Sequence, residues 1–166
     1  MLVSSTAVFG EDGGAVVNEQ SDPQPKAFNG KVLLEMEDQA ARQLSGVIVA
    51  RVSGIYAPGR ERLIRLAASE NLEVQQDPPA YTNRIHIDDV AAALKHLMDI
   101  EHAHDLYLVT DDLPAPRYDV IKWLAQMQGK PAPYAVKSDS AKQGKRVSND
   151  RLKQSGFKFQ YPDYRA

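Results

Sequence analysis

The residues best suited to chemistry lie in two short stretches. Val47 to Gly59 reads V-I-V-A-R-V-S-G-I-Y-A-P-G. Its first half, Val47-Ile48-Val49-Ala50, is an unbroken apolar run, mostly β-branched, as expected of a strand buried on both faces of a parallel sheet. The second half changes to turn chemistry: Ser53-Gly54, Tyr56, then Pro58-Gly59-Arg60-Glu61-Arg62. Loops leaving the carboxyl ends of strands line the ligand crevice of an open α/β sheet. A phenol and two guanidinium groups are therefore offered to whatever binds there. The other stretch, Tyr81 to Ile87, alternates Thr82, Arg84 and His86 with Tyr81, Asn83, Ile85 and Ile87. Side chains alternate along a strand, so the hydroxyl, guanidinium and imidazole share one face. Two readings of Arg84 stand: an anion clamp aided by Arg60 or Arg62, or an exposed arginine at a strand edge.

Composition removes several function classes. The chain has 166 residues, no cysteine and a net charge of -2. Disulfides and thiolate metal sites are excluded, and nothing in the charge calls for nucleic acid or an anionic membrane. His86, His96, His102 and His104 lack the spacing of a metal site. The aromatic residues are scattered without a basic stripe, and Tyr118 and Trp123 read as helix packing. No apolar run approaches a membrane span, and Met1-Leu2-Val3 is too short and lacks the basic flank of a signal peptide. A cytoplasmic protein binding a small molecule, with neither membrane nor nucleic acid as partner, is the expectation.

The elements that would position these groups follow in order. Residues 2–5 read as a strand running into Ser4-Ser5-Thr6-Ala7-Val8-Phe9-Gly10, and Glu11 to Lys26 as a long surface loop. Asn29 is placed to cap a helix whose apolar side is Val32, Leu33, Met36, Ala40 and Leu44, ended by Ser45-Gly46. Further helices are expected at 62–69, after an Asp88 cap, at 116–128, and after Ser148 or Asn149 up to Gly156; strands are expected at 72–74, 81–87 and 105–110. The class is α/β: a partial Rossmann-like, doubly wound parallel sheet with a small C-terminal substrate-side subdomain. One domain over 1–166 is expected, with 1–58 and 88–128 forming the sheet and helix layers and 59–87 and 129–166 the substrate side.

Four stretches together resemble the extended short-chain dehydrogenase/reductase family, the NAD-dependent epimerase/dehydratase group. Ser4 to Gly10 is similar to its S-S-x-x-V-Y-G turn, and Lys31 with Glu35 to the end of Y-x-x-x-K-x-x-x-E. Arg51 to Gly59 is similar to R-x-x-x-x-Y-G-P-G, and Arg84 to Val90 to its I-H-V-x-D-V junction. Gly144 to Asn149 and Gly156-Phe157 resemble the closing segment. The resemblance implies Ser5, Thr6 and Lys31 as the catalytic positions. It also implies Ser4, Lys31, Tyr56 and Pro58 beside an NAD or NADP cofactor, and Arg60, Arg84 and His86 beside a substrate such as a nucleotide sugar.

The chain departs from the family at defined places. Ala27 stands where the acid/base Tyr belongs, and Phe28 beside it has no proton to give. Thr82 occupies the diphosphate-clamping Arg position, with Arg84 about 7 Å further along the same face. No G-x-x-G-x-x-G phosphate loop is present, so the resemblance starts in the middle of the family's fold; one alternative is that Met1 is an internal methionine, the chain being a truncated gene model or a cleaved product. Two functional expectations follow. One is a piece of an NAD(P)-binding epimerase/dehydratase, inactive or weakly cofactor-binding by itself. The other is a non-catalytic module that self-associates through the unpaired strand at 2–5.

Overall fold

The computed structural model describes residues 1–138 and 142–166. In chain order the elements are β1 (Leu2–Ser5), β2 (Ala15–Val17), α1 (Phe28–Gln43), β3 (Val49–Val52), β4 (Gly54–Tyr56), α2 (Arg62–Ala67), β5 (Glu73–Asp77) and β6 (Tyr81–Thr82). They continue with β7 (Arg84–His86), α3 (Ile87–Asp99), β8 (Leu106–Val109), β9 (Ala115–Pro116), α4 (Arg117–Met127), β10 (Tyr134–Lys137), β11 (Lys145–Val147) and α5 (Asp150–Gln154).

The organising sheet is parallel, in the order β1-β3-β8, with Ser4 opposite Arg51 and Arg51 opposite Leu108. The strand expected at the centre is therefore the centre, and all four of its residues are buried. Alternation sorts its side chains. Ala50 and Val52 join Tyr107, Val109, Ile85 and Leu97 in a core closed by α3 and α5. Leu108 joins Val8, Phe9, Val17 and Val147 on the opposite face, roofed by Leu33 and Leu34 of α1. A separate cluster, Ala67, Val74, Tyr118, Ile121 and Ala125, ties α2 and β5 to α4.

Arg51 sits within this apolar layer, and α1 supplies its counter-charge. Glu37 accepts from Arg51 Nη2 at 2.7 Å and from Nε at 3.1 Å, and the Ser4 hydroxyl also donates to Glu37. Arg51 further stacks over the Phe9 ring at 4.9 Å. To bring Glu37 inward, α1 turns Leu33, Leu34 and Gly30 toward the sheet. A Cβ on Gly30 would lie 2.4 Å from the Ala7 carbonyl oxygen, so only glycine permits this approach. The expected stripe is corrected accordingly: Val32, Met36 and Leu44 are exposed.

Other boundaries differ for local reasons. The 11–26 segment contains β2, which pairs in parallel with β11. The strand expected at 81–87 breaks at Asn83, where β6 leaves its antiparallel partner β9 and β7 takes up β4. Asn83 serves both sides, its side chain bonding Lys145 O and Val147 N at 2.9 and 2.8 Å while its carbonyl accepts from Gly54 N. Asp12 Oδ1 gathers the amides of Gly13, Gln143 and Gly144, which hold its carboxyl below the usual range. Asn29 caps nothing, because Ala27 holds the N-cap position of α1 without a side-chain bond. The cap of α3 is His86, whose Nδ1 accepts from Asp88 N at 3.2 Å, and Asp88 lies in the first turn. At α5 Asn149 turns to Thr110 and Asp112, leaving the Ser148 hydroxyl to accept from Asp150 N.

Removing one partner of a buried pair strands the other charge, at a cost of about 3–5 kcal/mol. Glu37→Leu is expected to lower the unfolding free energy measured by urea titration by that amount. The double variant Glu37→Leu/Arg51→Met should recover most of the loss, and equal losses in single and double variants would refute the assignment.

Candidate functional site

A cavity of about 600 Å³ opens where β4 and β7 meet α2 and α4. Each wall has a local origin. The Ala57–Arg60 turn after β4 starts α2, which presents Leu63 and Ile64. From α4 come Val120, Ile121 and Leu124, and from the C-terminal tail Tyr164. The polar groups on the cavity floor are Thr82 and Arg84.

Arg84 is only 6% exposed, which rules out the exposed-edge reading. Its Nη2 donates to the Thr82 hydroxyl, its guanidinium lies over the Tyr164 ring at 5.1 Å, and Nη1 has no partner. Burial pulls the Arg84 pKa down. Asp111 is 1% exposed. One of its oxygens accepts from Leu113 N at 3.1 Å and the other is unpartnered. Burial raises its carboxyl to about 7, against the pull of the Leu113 amide and of Arg84. The Tyr56 hydroxyl donates to the Asp163 carbonyl at 3.2 Å. Burial, then the charges of Asp111 and Asp89, push this phenol up to about 12, so it stays protonated as a donor.

The expected site residues separate into two groups. Tyr56, Arg60 and Arg84 come together around the cavity; Ser4, Ser5, Thr6, Lys31, Pro58 and His86 do not line it. Ser5, at the end of β1, accepts from Ala7 N at 3.2 Å and so bonds its own turn, beside a buried Thr6. The Ser4 hydroxyl is committed to Glu37. Lys31 is exposed on α1 and Pro58 on the β4–α2 loop. His86 lies under the tail, stacked on Tyr161 at 3.8 Å and edge-on to Tyr56 at 5.2 Å.

Arg117 and Tyr164, which line the cavity, were not legible as site residues, nor were Asp111, whose amide donates to the Arg84 carbonyl at 2.8 Å, and Tyr161, stacked on His86. Asp111 reads as the polar end of a strand, and the tail is held at the cavity by Asp89, which accepts the Gln160 and Tyr161 amides at 2.9 and 2.8 Å, by Asp112 N on the Pro162 carbonyl at 2.9 Å and by the Tyr56 hydroxyl on Asp163. Among the described residues, no group of three or more His, Cys, Asp or Glu is arranged to hold a metal ion.

A carboxyl with a raised folded-state pKa binds its proton more readily in the folded chain than in the unfolded one. Asp111 therefore contributes a loss of stability as pH rises from about 4 to 7. Asp111→Asn is expected to raise the unfolding free energy at pH 8 by roughly 4 kcal/mol at most, and with it the melting temperature, with little effect at pH 4. Thermal unfolding across that range checks this, and a variant less stable at pH 8 would contradict it.

No family model and no curated protein sequence matches the chain. Solved structures do. One from Methylobacillus flagellatus, provisionally described as an NAD-dependent epimerase/dehydratase, is 38% identical with a TM-score of 0.83, covering 98% of this chain and 59% of its own. A conserved protein of unknown function from Silicibacter pomeroyi is 36% identical with a TM-score of 0.82, covering 98% and 62%. UDP-glucuronic acid 4-epimerase from Bacillus cereus, in complex with NAD, shares the fold at 18% identity and a TM-score of 0.72, covering 92% and 53%. Structures of this fold are known with NAD and with NADPH. The chain spans about 60% of the length of the first two. With the parallel β1-β3-β8 sheet and the cavity beside it, these likenesses show that the chain shares the fold of NAD-dependent epimerase/dehydratase structures over that span.

Proposed function

We propose that the chain is the substrate-side portion of an NAD(P)-dependent epimerase/dehydratase-type protein, and that by itself it holds the cofactor weakly and turns over little. The observation that carries this is the preserved cavity with Arg84 on its floor, beside a sheet whose sequence lacks the glycine-rich phosphate loop. The residues present fit a nicotinamide cofactor only in part. Ser5 and Lys31 match the family's positions near the nicotinamide ribose, whereas the phenol is absent and the Ser5 hydroxyl already caps its own turn. No proton-transfer step is assigned to them. Tyr56, Arg60, Arg84 and Thr82 bind and orient a small anionic substrate, and the Bacillus cereus neighbour makes a nucleotide sugar one candidate. The cysteine-free chain suits the cytoplasm, and no helix among the described residues is long and apolar enough to cross a membrane. Calorimetric titration of NADH and NADPH is expected to show binding at least about tenfold weaker for this chain than for a form extended upstream by a phosphate-loop unit. If the extended form also binds neither cofactor, the reading falls.

A second reading, self-association, is favoured by one surface. β1 ends the three-stranded sheet, Val3 on it is 51% exposed, and Phe28, Val32 and Met36 of α1 are exposed beside it. An unpaired strand edge next to an apolar helix face is a template for a second copy. Light scattering is expected to give a dimer that Val3→Lys converts to monomer. A monomer at millimolar concentration would count decisively against it.

A further inference from the structure

We propose that the cavity takes an amphiphilic organic anion, a carboxylate or phosphate monoester whose head seats on Arg84 and Thr82 and whose aliphatic or aryl body lies between α2 and α4. This rests on the reading of the cavity as the substrate site and narrows what that substrate is.

The first support is the unfinished chemistry of Arg84. It is more than nine-tenths buried, lines the cavity and leaves Nη1 without an acceptor. A guanidinium in apolar surroundings needs an anion to offset its desolvation. Among the described residues no carboxylate lies within ion-pair distance of it. Asp111 acts on it only through space and holds its own proton up to about neutral pH. The ligand's head is the group that completes the site.

The second support is the character of the walls. Leu63, Val120, Ile121 and Leu124 offer no hydrogen-bonding side chain. A hydroxyl-rich sugar placed there would lose its water partners without replacement, at a cost for every unpaired group. Thr82, too, stands at the position that the resemblance gives to the diphosphate-clamping arginine. The mouth carries Arg60, Arg62, Arg65 and Arg117 against a single acidic lining residue, Glu61, a field that draws anions inward.

Charge balance adds a regulatory consequence. The groups acting on Asp111 are Arg84 from β7, Asp112 beside it and Asp163 from the tail, with Tyr56 of β4 feeling its charge in turn. Below about pH 7 Asp111 is neutral and leaves the Arg84 charge to the ligand; above it the carboxylate competes with the ligand head. Affinity for a carboxylate ligand therefore falls as pH rises from 6 to 8.

The test titrates the full chain with hexanoate, hexyl phosphate, hexan-1-ol and UDP-glucuronic acid, by calorimetry and by emission of the single tryptophan. Trp123 stacks edge-on against the cavity's Tyr164 at 5.5 Å and so reports its occupancy. Both six-carbon anions are expected to bind at least about tenfold more tightly than hexan-1-ol, and hexyl phosphate more tightly than UDP-glucuronic acid. Arg84→Met should abolish the preference for anions. If that variant does not fold, Asp111→Asn serves instead: its hexanoate affinity at pH 8 should rise by roughly three- to tenfold and lose its slope between pH 6 and 8. Hexan-1-ol binding as tightly as the anions, or an unchanged pH slope in Asp111→Asn, would overturn the proposal. Tighter binding of UDP-glucuronic acid would overturn the ligand class alone and leave the cavity as the substrate site. A failed NADH titration bears only on the cofactor reading.

Discussion

The fold depends on the ion pair between Glu37 and Arg51. It joins the helix after the first strand to the middle of the sheet, at a point where both faces are otherwise apolar. Fully apolar contacts would let α1 slide or rotate over β1 and β3. A bidentate carboxylate–guanidinium contact tolerates little of either. The Ser4 hydroxyl adds the first strand to the same carboxylate, so one charged cluster sets the position of helix, edge strand and central strand together. What it secures is specificity of docking more than net stability, since buried pairs return little beyond their desolvation cost.

With β3 held, its continuation is held too. Ser53 leaves the strand with its hydroxyl bonded to Thr110, Thr110 bonds the Arg84 carbonyl, and Gly54 bonds the Asn83 carbonyl. The floor of the cavity is thus fastened to the ends of the central strands. Its roof is built differently. Tyr164 and Tyr161 belong to a tail anchored by two amides on the Asp89 carboxylate, and the α2–α4 wall has an apolar cluster of its own. A rigid polar floor under an apolar, separately packed wall is an arrangement in which the head of a ligand is fixed while its body can vary.

Two buried groups at or near this floor each leave a polar atom without a partner, Nη1 of Arg84 and Oδ2 of Asp111. Proteins seldom leave such groups unmatched, because each costs solvation that folding must recover elsewhere. Their nearness lowers the cost: the guanidinium favours the ionised acid, while burial favours the neutral one. The balance falls near neutral pH, where small changes in ligand or proton concentration alter the charge of the site.

The sheet and its order were legible because the relevant signals are local. Val47 to Ala50 is apolar without alternation and mostly β-branched, Leu106 to Val109 is apolar without alternation too, and short runs of that kind fit a covered parallel strand. The turn after β3 and the shared face of Thr82 and Arg84 follow from the same short-range rules, and the motif order alone pointed to the epimerase/dehydratase family. Chain-wide geometry decided the rest. Glu37 resembles any solvated helix residue until Arg51 is seen opposite it, and Val32 and Met36 resemble core until that pairing rotates the helix. Asp111 and Tyr164 are far from Arg84 along the chain and meet it only in space. Periodicity records which face of an element is apolar; where a buried charge finds its partner depends on how separate elements pack, and that information is not carried by any one segment.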